Sequence, residues 1–340
     1  INNNISTVIM LKNKYLRKIK LVFYHIYKFF YRFPKRFRRK FWETNEDNKY
    51  YGHYDIFIHY TRAFLPYKIN GEVQHGWSPH SGLIDPNTQI QDVKNRKYYL
   101  INESNQKKSI EQGFHNTEII GAPFLYFLDL VKNKNKEVLK SLLLFPLHSH
   151  EWVKFSDPIK THKVYLKQII KIRHLFKIIS VSLGWKEYQN KDIVELFSKE
   201  KIKVVTMGHR DHNPKFLFNF YDQVSKHEYI SSDTFCTALF YGLIMNKKCF
   251  VYGKQLNKDS VFKKNKDFLD NVWIGPEKSY YDFYSKKYPI LLWDNFDHKP
   301  HPYIAEDELG MNYKKSPKEL RAIFEWSLSC FFKSFINPSN

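Results

Sequence analysis

Residues 141–147 read Ser-Leu-Leu-Leu-Phe-Pro-Leu, an apolar run that lies between a lysine-rich segment and the polar pair His148 and Ser149. So short and continuous an apolar run is typical of a strand buried on both faces of a parallel sheet. Similar runs and helical stretches alternate after it, with strands predicted at 178–183, 202–207, 229–231 and 249–252 and helices at 158–176, 192–199, 214–226 and 234–245. This alternation predicts a doubly wound α/β domain over residues 137–315.

The chain before this run repeats the pattern more weakly. Strands are predicted at 55–59, 98–101 and 118–121, with helices at 105–112 and 125–132. We therefore predict a second Rossmann-like domain over residues 44–136, and an α/β fold in which two doubly wound domains face a central cleft. Residues 316–340 are predicted to form a C-terminal helix, because Pro317 suits the first turn.

The chain has 340 residues, with 55 Lys and Arg against 34 Asp and Glu and a formal charge of +21. Such an excess favours phosphates, anionic lipids or nucleic acid as partners. The three cysteines show no CxxC spacing, so we expect neither a disulfide framework nor a cysteine-rich zinc site, and we predict a reducing, cytoplasmic location. Because Lys or Arg interrupts every apolar run near the N-terminus, no spanning helix or signal peptide is expected.

Residues 1–43 differ from the rest, since lysine and arginine alternate there with aromatic and aliphatic residues between positions 11 and 40. Such a basic amphipathic helix can lie in the interface of an anionic membrane. Two alternatives stay open: a helix that packs its aromatic face on the protein, and a nucleic-acid arm, which no recognition motif supports. We expect the membrane contact, on the inner face of a cytoplasmic membrane, and no nucleic-acid partner.

The densest candidate site is the loop at residues 72–82, Glu-Val-Gln-His-Gly-Trp-Ser-Pro-His-Ser-Gly. Loops at strand ends are where α/β proteins bind ligands. The imidazole of His75 can take a proton from an attacking hydroxyl near neutral pH, and Gly76 would let the backbone approach a substrate. The alternative is a turn in which His75 only forms local hydrogen bonds.

Polar residues also follow two predicted strands of the second domain. His148 and Ser149 come after the strand at 141–147, and Gly208–Arg210 follows the strand at 202–207. The guanidinium of Arg210 presents a planar fork that matches a phosphate. The alternative for Arg210 is a simple ion pair with Asp211.

Residues 229–239 are predicted to form a strand, a hydroxyl-rich turn and the start of an apolar helix. Ser231, Ser232 and Asp233 are favourable N-cap residues, and the amides behind them would form an anion site. The same residues would also be chosen merely to start a helix. The site is favoured because Gly208–Arg210 ends the preceding strand.

Several motifs are missing from the sequence: GxGxxG after the first strand, GxxxxGK[ST], GxSxG and a DxD-like acidic pair. Their absence disfavours dinucleotide oxidoreductases, P-loop enzymes, α/β hydrolases and metal-dependent GT-A transferases. The histidines at 148 and 150 lack a partnered carboxylate pattern, so no metal is expected. A metal-independent transferase without a cofactor is the class that remains.

Several segments resemble known transferases. Glu72–Trp77 resembles the His-Gly loop of the capsule polysaccharide and teichoic acid transferases, and Ile119–Pro123 is similar to the Gly-x-Pro turn that ends the first domain of many GT-B enzymes. Ser231–Gly242, followed by Lys247–Gly253, looks like the donor-phosphate helix and next strand of that group, a layout shared by bacterial Kdo and sialic-acid-type transferases. The resemblance runs in order from residue 55 to residue 253 and implies a GT-B fold with His75 as general base.

The resemblance also implies two sets of site residues. The acceptor side comprises Glu72, Gln74, Gly76, Trp77 and His80. The donor side comprises His148, Ser149, Gly208, His209, Arg210, Ser231, Ser232, Thr234 and Thr237.

The predicted reaction is an inverting transfer from a nucleotide sugar to a lipid-linked or oligosaccharide acceptor in capsule or lipopolysaccharide synthesis. A CMP-activated nonulosonate of the Kdo or sialic type is the favoured donor, because a basic cleft suits a carboxylated sugar. One alternative is a polyol-phosphate transferase that uses CDP-glycerol or CDP-ribitol. A second is a non-catalytic lipid- or nucleic-acid-binding protein on the same scaffold.

Overall fold

A computed structural model describes residues 48, 50–63, 69–79, 96–132, 137–149, 154–253, 262–263 and 277–326. The predicted membrane-surface segment 1–43, His80 and residues 327–340 lie outside these ranges. The described chain is α/β and contains a three-stranded parallel sheet, a five-stranded parallel sheet and a two-stranded antiparallel pair.

The three-stranded sheet consists of β1 (Glu72–Val73), β2 (Tyr98–Leu100) and β3 (Thr117–Ile119), adjacent in that order. Its helices are α1 (His53–Thr61), α2 (Glu103–Glu111) and α3 (Pro123–Leu130). Every residue of β2 is buried, which explains why this strand reads as a continuous apolar run.

The strand predicted at residues 55–59 is wrong, because these residues belong to α1. The buried residues of that helix are His53, Ile56, Phe57 and Thr61. Their spacing of three, one and four residues follows one face of a helix, whereas in a half-buried strand every second residue would be buried.

The five-stranded sheet contains the strands predicted from the apolar runs. They are β4 (Val138–Phe145), β6 (Ile178–Ser182), β7 (Lys203–Val205), β8 (His227–Ser232) and β9 (Lys248–Val251), while β5 (Lys154–Phe155) pairs antiparallel with β10 (Phe262–Lys263). The remaining helices are α4 (Pro158–Ile172), α5 (Trp185–Gln189), α6 (Lys191–Lys199), α7 (Phe216–Lys226), α8 (Thr237–Ile244), α9 (Glu277–Lys287), α10 (Pro302–Glu308) and α11 (Pro317–Ile323). The predicted start of the last helix is confirmed, with Ser316 as its N-cap and Pro317 in its first turn, but the predicted length is wrong, because this helix ends at Ile323.

The strand order of this sheet is β7-β6-β4-β8-β9, with all neighbours parallel. The chain moves outward from β4 in one direction through β6 and β7, then returns to the other side through β8 and β9. The reversal creates a topological switch point between β4 and β8. In open α/β sheets, ligands bind in the crevice beyond the carboxyl ends of the strands at such a point.

One hydrophobic core joins the two sheets. It includes Val73 and Tyr99 from the smaller sheet, Leu143 and Ile230 from the larger one, and Phe124 of α3. A second cluster lies under α4 on the opposite face of the larger sheet. The domain boundary predicted at residues 136 and 137 falls between the sheets, but the packing across it is continuous.

The C-terminal part of the chain packs on the smaller sheet. Asn102 Nδ2 donates a hydrogen bond to Glu308 O at 2.7 Å, and the Ala122 amide donates to Leu309 O at 2.9 Å. The Phe57 and Phe324 rings meet edge to face, with centroids 5.1 Å apart. Among the described helices, none combines the length and hydropathy that crossing a membrane requires.

Candidate functional site

The His75 loop begins directly after β1 and is held in shape by Gln74. The Gln74 amide nitrogen donates to Gly76 O at 2.9 Å and to Asn105 Oδ1 at 3.1 Å, while its oxygen accepts from the Ile101 amide at 3.1 Å. Gln74 is only 2% exposed, and both its side-chain nitrogen and its side-chain oxygen form hydrogen bonds, so it fixes the conformation of the loop. This placement gives Gln74 a structural role beside His75.

Trp77 anchors the other end of the loop in the core. Its indole nitrogen donates to Glu308 Oε2 at 2.7 Å, and its ring packs on Phe240 with centroids 4.4 Å apart. Glu72, at the start of β1, lies 3.6 Å from Arg96 in an ion pair. Both residues, predicted on the acceptor side, therefore have structural contacts that account for their identities.

His75 itself lies among aromatic rings and close to a cation. Its ring centroid is 6.0 Å from that of Tyr50 and 6.3 Å from that of Tyr51. Burial and, as a smaller cause, the nearby Arg210 guanidinium together lower the pKa of His75 to about 4. The imidazole is therefore neutral at pH 7 and can accept a proton.

A strained turn brings Arg210 to this position. Tyr51 has φ 55° and Gly52 has φ 78°, so two successive residues adopt the left-handed conformation. The Tyr51 amide donates to Arg210 O at 2.7 Å, and a Cβ on Gly52 would lie 2.6 Å from Pro214 O. Only glycine fits this close approach, which ties residues 50–52 to the loop after β7.

The loop after β7 is also fixed by its own side chains. Gly208 has φ 88°, and Asn213 Nδ2 donates across the turn to Met207 O at 2.7 Å. His209 Nδ1 accepts from the Asp211 amide at 3.2 Å, which leaves the ring proton on Nε2 in the neutral form. The Arg210 Nε lies 3.0 Å from Asp211 Oδ1, so the predicted alternative of a local ion pair is also present.

The start of α8 touches the His75 loop. A Cβ on Gly76 would lie 2.9 Å from Thr237 Oγ1, and that hydroxyl donates to Trp77 O at 3.1 Å. The N-cap of α8 is Cys236, whose side chain makes no capping hydrogen bond. The Thr237 side chain, at the start of α8, therefore lies against Gly76, the residue next to His75.

The predicted N-cap at residues 231–233 is wrong by three residues or more. Ser231 and Ser232 continue the ladder of β8, where they pair with Phe250 and Val251 of β9. Asp233 follows and accepts a hydrogen bond from the Leu147 amide at 3.0 Å. Sheet pairing on this side outweighs the local capping preference of the serines.

These placements change the expected roles of the hydroxyl groups. Ser231 is 0% exposed, and its Oγ has no hydrogen-bond partner among the described residues. Ser232 Oγ accepts from the Thr234 amide at 3.3 Å. Thr234 and Thr237, both partly exposed, are the members of this group best placed to meet a ligand.

The loop after β4 is held at the switch point by two carboxylates. Asp233 binds the Leu147 amide from the β8 side, and Glu187 accepts from the Ser149 amide at 2.8 Å from the β6 side. The Ser149 hydroxyl also donates to Glu187. His148, between them, is exposed at the mouth of the crevice.

Three residues of this region escaped the sequence reasoning. Glu187 follows β6 without any recognisable motif, and His162 lies on α4 beneath it. His53 begins α1, two residues before the segment predicted as a strand, and it is 1% exposed beside His75. Burial lowers the pKa of His53 to about 3, with His75 as a second cause.

The structure therefore forms two groups from the predicted residues. His75, Gly76, Arg210 and Thr237 meet where the two sheets adjoin, whereas His148 and Ser149 lie with Glu187 at the switch point. Within the described part of the chain, no group of three or more His, Cys, Asp or Glu side chains is arranged to hold a metal ion. The chain matches no model of a known protein family, and no curated protein is significantly similar to it in sequence.

Proposed function

We propose that the protein is an inverting, metal-independent glycosyltransferase of the GT-B type that moves a sugar from a nucleotide donor to a glycan hydroxyl in capsule or lipopolysaccharide synthesis. The three-stranded sheet belongs to the acceptor half in this proposal, and the five-stranded sheet belongs to the donor half. The enzyme works at the cytoplasmic face of a membrane.

The observation that carries the proposal is the meeting of His75 with Arg210 and Thr237. His75 follows β1, Arg210 follows β7 and Thr237 begins the helix after β8, so three separate segments converge. Arg210 is close enough to lower the pKa of His75, and Gly76 lies against Thr237. A proton acceptor thus stands beside a guanidinium and a helix N-terminus, two groups that bind phosphate in proteins.

In the proposed step, the oxygen of an acceptor hydroxyl attacks the anomeric carbon of the donor. The bond from that carbon to the nucleotide phosphate oxygen breaks, and its electron pair leaves with the phosphate. The hydroxyl proton passes to the neutral ring of His75, while Arg210 and the first amides of α8 stabilise the leaving phosphate. A single displacement of this kind inverts the anomeric configuration.

The low pKa of His75 fits this step only in part. A base with a pKa of about 4 is ready to accept a proton at pH 7, but it holds that proton weakly. A donor phosphate bound to Arg210 would offset the charge that contributes to the low pKa. Donor binding would therefore raise the pKa of His75 towards the working pH and prepare it for the transfer.

A CMP-activated nonulosonate of the Kdo or sialic type is the donor we favour. Such a donor carries a carboxylate as well as a phosphate. The site offers the guanidinium of Arg210 together with the Nε2 proton of His209 on the same loop, and the whole chain is strongly basic. Both anionic groups can therefore be recognised without a metal ion.

The test is a transfer assay with labelled CMP-sialic acid, CMP-Kdo and CDP-glycerol, run with the wild-type protein and with His75→Ala. The proposal expects sugar transfer or donor hydrolysis from a CMP-sugar that the variant loses. Turnover of CDP-glycerol alone would make the protein a polyol-phosphate transferase with His75 in the same place. Equal turnover by the variant would remove His75 from the chemistry, and no turnover of any nucleotide donor would favour a non-catalytic binding protein.

A further inference from the structure

The amino ends of β4, β6 and β7 form an edge of the larger sheet opposite the crevice. We name it the amino edge, and its residues are Val138–Lys140, Lys171–Ile178 and Lys201–Lys203. Because the helices between parallel strands run back along the sheet, the last turns of α4 and α6 end at this edge too. The edge takes no part in the proposed transfer reaction.

The strand β4 projects beyond its neighbour at this edge. β4 pairs with β6 only from Ser141 onward, so Val138–Lys140 extend past the β6 side of the sheet, and all three are exposed. Leu139 is 68% exposed, more than any other large apolar side chain in the described ranges. The Lys177 amide donates to Lys140 O at 2.8 Å, which holds the segment before β6 against the projection.

More apolar side chains surround this projection. Val138, Leu175 and Ile178 are each more than two-fifths exposed. Scattered single apolar residues on a protein surface need no explanation, but here they lie on adjoining segments of one edge. The amino edge therefore presents an apolar tip that the described part of the chain leaves uncovered.

Exposed lysines surround the apolar tip. Other cations near this edge have carboxylate partners, such as Arg173 with Glu200 at 3.4 Å and Lys248 with Glu228 at 2.6 Å. In contrast, no Asp or Glu in the described ranges lies within ion-pair distance of the following exposed lysines: Lys140, Lys171, Lys177, Lys201 and Lys203. A preference for cations at helix C-termini explains Lys171, but it does not explain those at the starts of strands.

We propose that the amino edge docks on a bilayer that contains anionic phospholipid. Leu139 and its apolar neighbours would enter the boundary between headgroups and acyl chains, and the lysines would lie at the lipid phosphates. A second copy of the chain is a poorer occupant, because a twofold interface would bring the same lysines together. The basic segment at residues 11–40 would be a separate contact, and two weak contacts hold a protein to a membrane better than one.

This orientation has a consequence for the acceptor, which rests on the proposed function. The eight residues of β4 separate the amino edge from the crevice, a distance of about 25 Å at the rise of a strand. The crevice would then face away from the bilayer. It would receive the far end of a long lipid-linked chain and would not reach a bare lipid headgroup.

The test is co-sedimentation of the full chain with phosphatidylcholine vesicles that do or do not contain phosphatidylglycerol. We expect the wild type to bind the anionic vesicles, Leu139→Asp to lower the partition coefficient about tenfold, and Lys140→Glu with Lys177→Glu to lower it about 25-fold or more. Tyr303→Asp, at a side chain 61% exposed, and Lys191→Glu, at the opposite end of the sheet, are the matched controls and should bind as the wild type does.

Each outcome decides the proposal. Wild-type-like binding by both edge variants, with unchanged thermal unfolding, would place the membrane contact elsewhere and overturn it. So would equal binding to neutral and anionic vesicles, or self-association of the wild type that Leu139→Asp abolishes. Transfer to a soluble acceptor, measured without vesicles, reports on the proposed reaction alone, so the two proposals can fail separately.

Discussion

His75 and His162 have similar pKa values, but the charged groups beside them are of opposite sign. Burial lowers the pKa of each to about 4. Beside His75, the Arg210 guanidinium acts in the same direction, whereas beside His162 the Glu187 carboxylate opposes the effect of burial. The comparison shows that a shifted pKa alone does not identify a catalytic base.

The surroundings of the two rings separate them more clearly. His162 is 1% exposed, packs edge to face on Phe155 and Phe197, and has no hydrogen-bond partner for either nitrogen among the described residues. His75 is only partly buried and has a cation beside it that a bound anion would neutralise. We therefore expect His75 to interact with ligands and His162 to affect only the stability of the fold.

The largest expected effect is the loss of kcat on substitution of His75, compared with substitution of His162. His75→Ala should lower kcat about 10²- to 10⁴-fold, the usual contribution of a general base, and should leave donor binding nearly intact. His162→Phe keeps the ring contacts and should leave kcat nearly unchanged. Steady-state kinetics of both variants check this, and a large loss of kcat in His162→Phe alone would reverse the assignment.

The second largest effect should be a loss of affinity for the nucleotide donor when the charge of Arg210 is removed. Arg210→Met takes away a charged donor from the phosphate and should weaken binding of the donor about tenfold to a hundredfold. Arg173→Met, which breaks an exposed ion pair with Glu200, is the control and should not change it. Isothermal titration with CMP measures both, and equal affinities in the two variants would place the phosphate away from Arg210.

Gly76→Ala tests whether the His75 loop must lie against α8. The added Cβ would meet Thr237 Oγ1 at 2.9 Å, so the loop has to shift by a few tenths of an ångström. We expect kcat to fall about tenfold, because small displacements of a base are costly. Thr237→Ala in the same chain removes the obstructing atoms and should restore part of the rate, whereas a double variant that is no better than Gly76→Ala would contradict this explanation.

His53, His75 and His162 should all make stability depend on pH, because the pKa of each is lowered in the folded protein. The pKa of His162 is about 4 in the folded protein and about 6.5 when unfolded, so the unfolded chain binds more protons between these values. Stability is therefore lost as the pH falls from about 6.5 to about 4, by up to about 1.4 kcal/mol per pH unit for each such group. The free energy of unfolding, measured with urea at several pH values, should depend less steeply on pH in His162→Phe than in the wild type. An equally steep dependence in both proteins would show that His162 titrates normally.

The smallest effect concerns the anchor of the loop. Trp77→Phe removes the donor to Glu308 Oε2, while Lys287 and Tyr288 still donate to Glu308 Oε1. Loss of one hydrogen bond to a buried carboxylate should reduce the free energy of unfolding by about 1–3 kcal/mol. Activity at low temperature should stay close to that of the wild type, and a specific loss of acceptor affinity would instead support the predicted acceptor-side role of Trp77.

Sequence reasoning succeeded where the chain pattern is set by burial. The strands after residue 137 are continuous apolar runs, because a central parallel strand such as β4 is covered on both faces. The pattern failed for residues 55–59, where Ile56, Phe57 and Ile58 fit a strand as well as a helix. Only the packing of α1 decides between them, with the Phe57 ring against Tyr126 of α3 and against Phe324.

The site was harder to predict because its geometry depends on distant pairs. Nothing in the sequence indicates that Glu187 holds the Ser149 amide, or that Asp233 holds the Leu147 amide across the switch point. The predicted cap at Ser231 and Ser232 failed for a similar reason, since pairing with β9 extends β8 through both residues. Local preferences identify such residues as polar and important but do not say which partner they bind.

The most direct test of the account is an NMR pH titration of His75 and His162 with and without a bound nucleotide, taken from CMP, UDP or CDP-glycerol according to which one binds. A phosphate at Arg210 should raise the pKa of His75 above about 4 and leave that of His162 unchanged. If a nucleotide binds tightly and the pKa of His75 does not move, the base and the donor phosphate do not share a site, and the central claim is wrong.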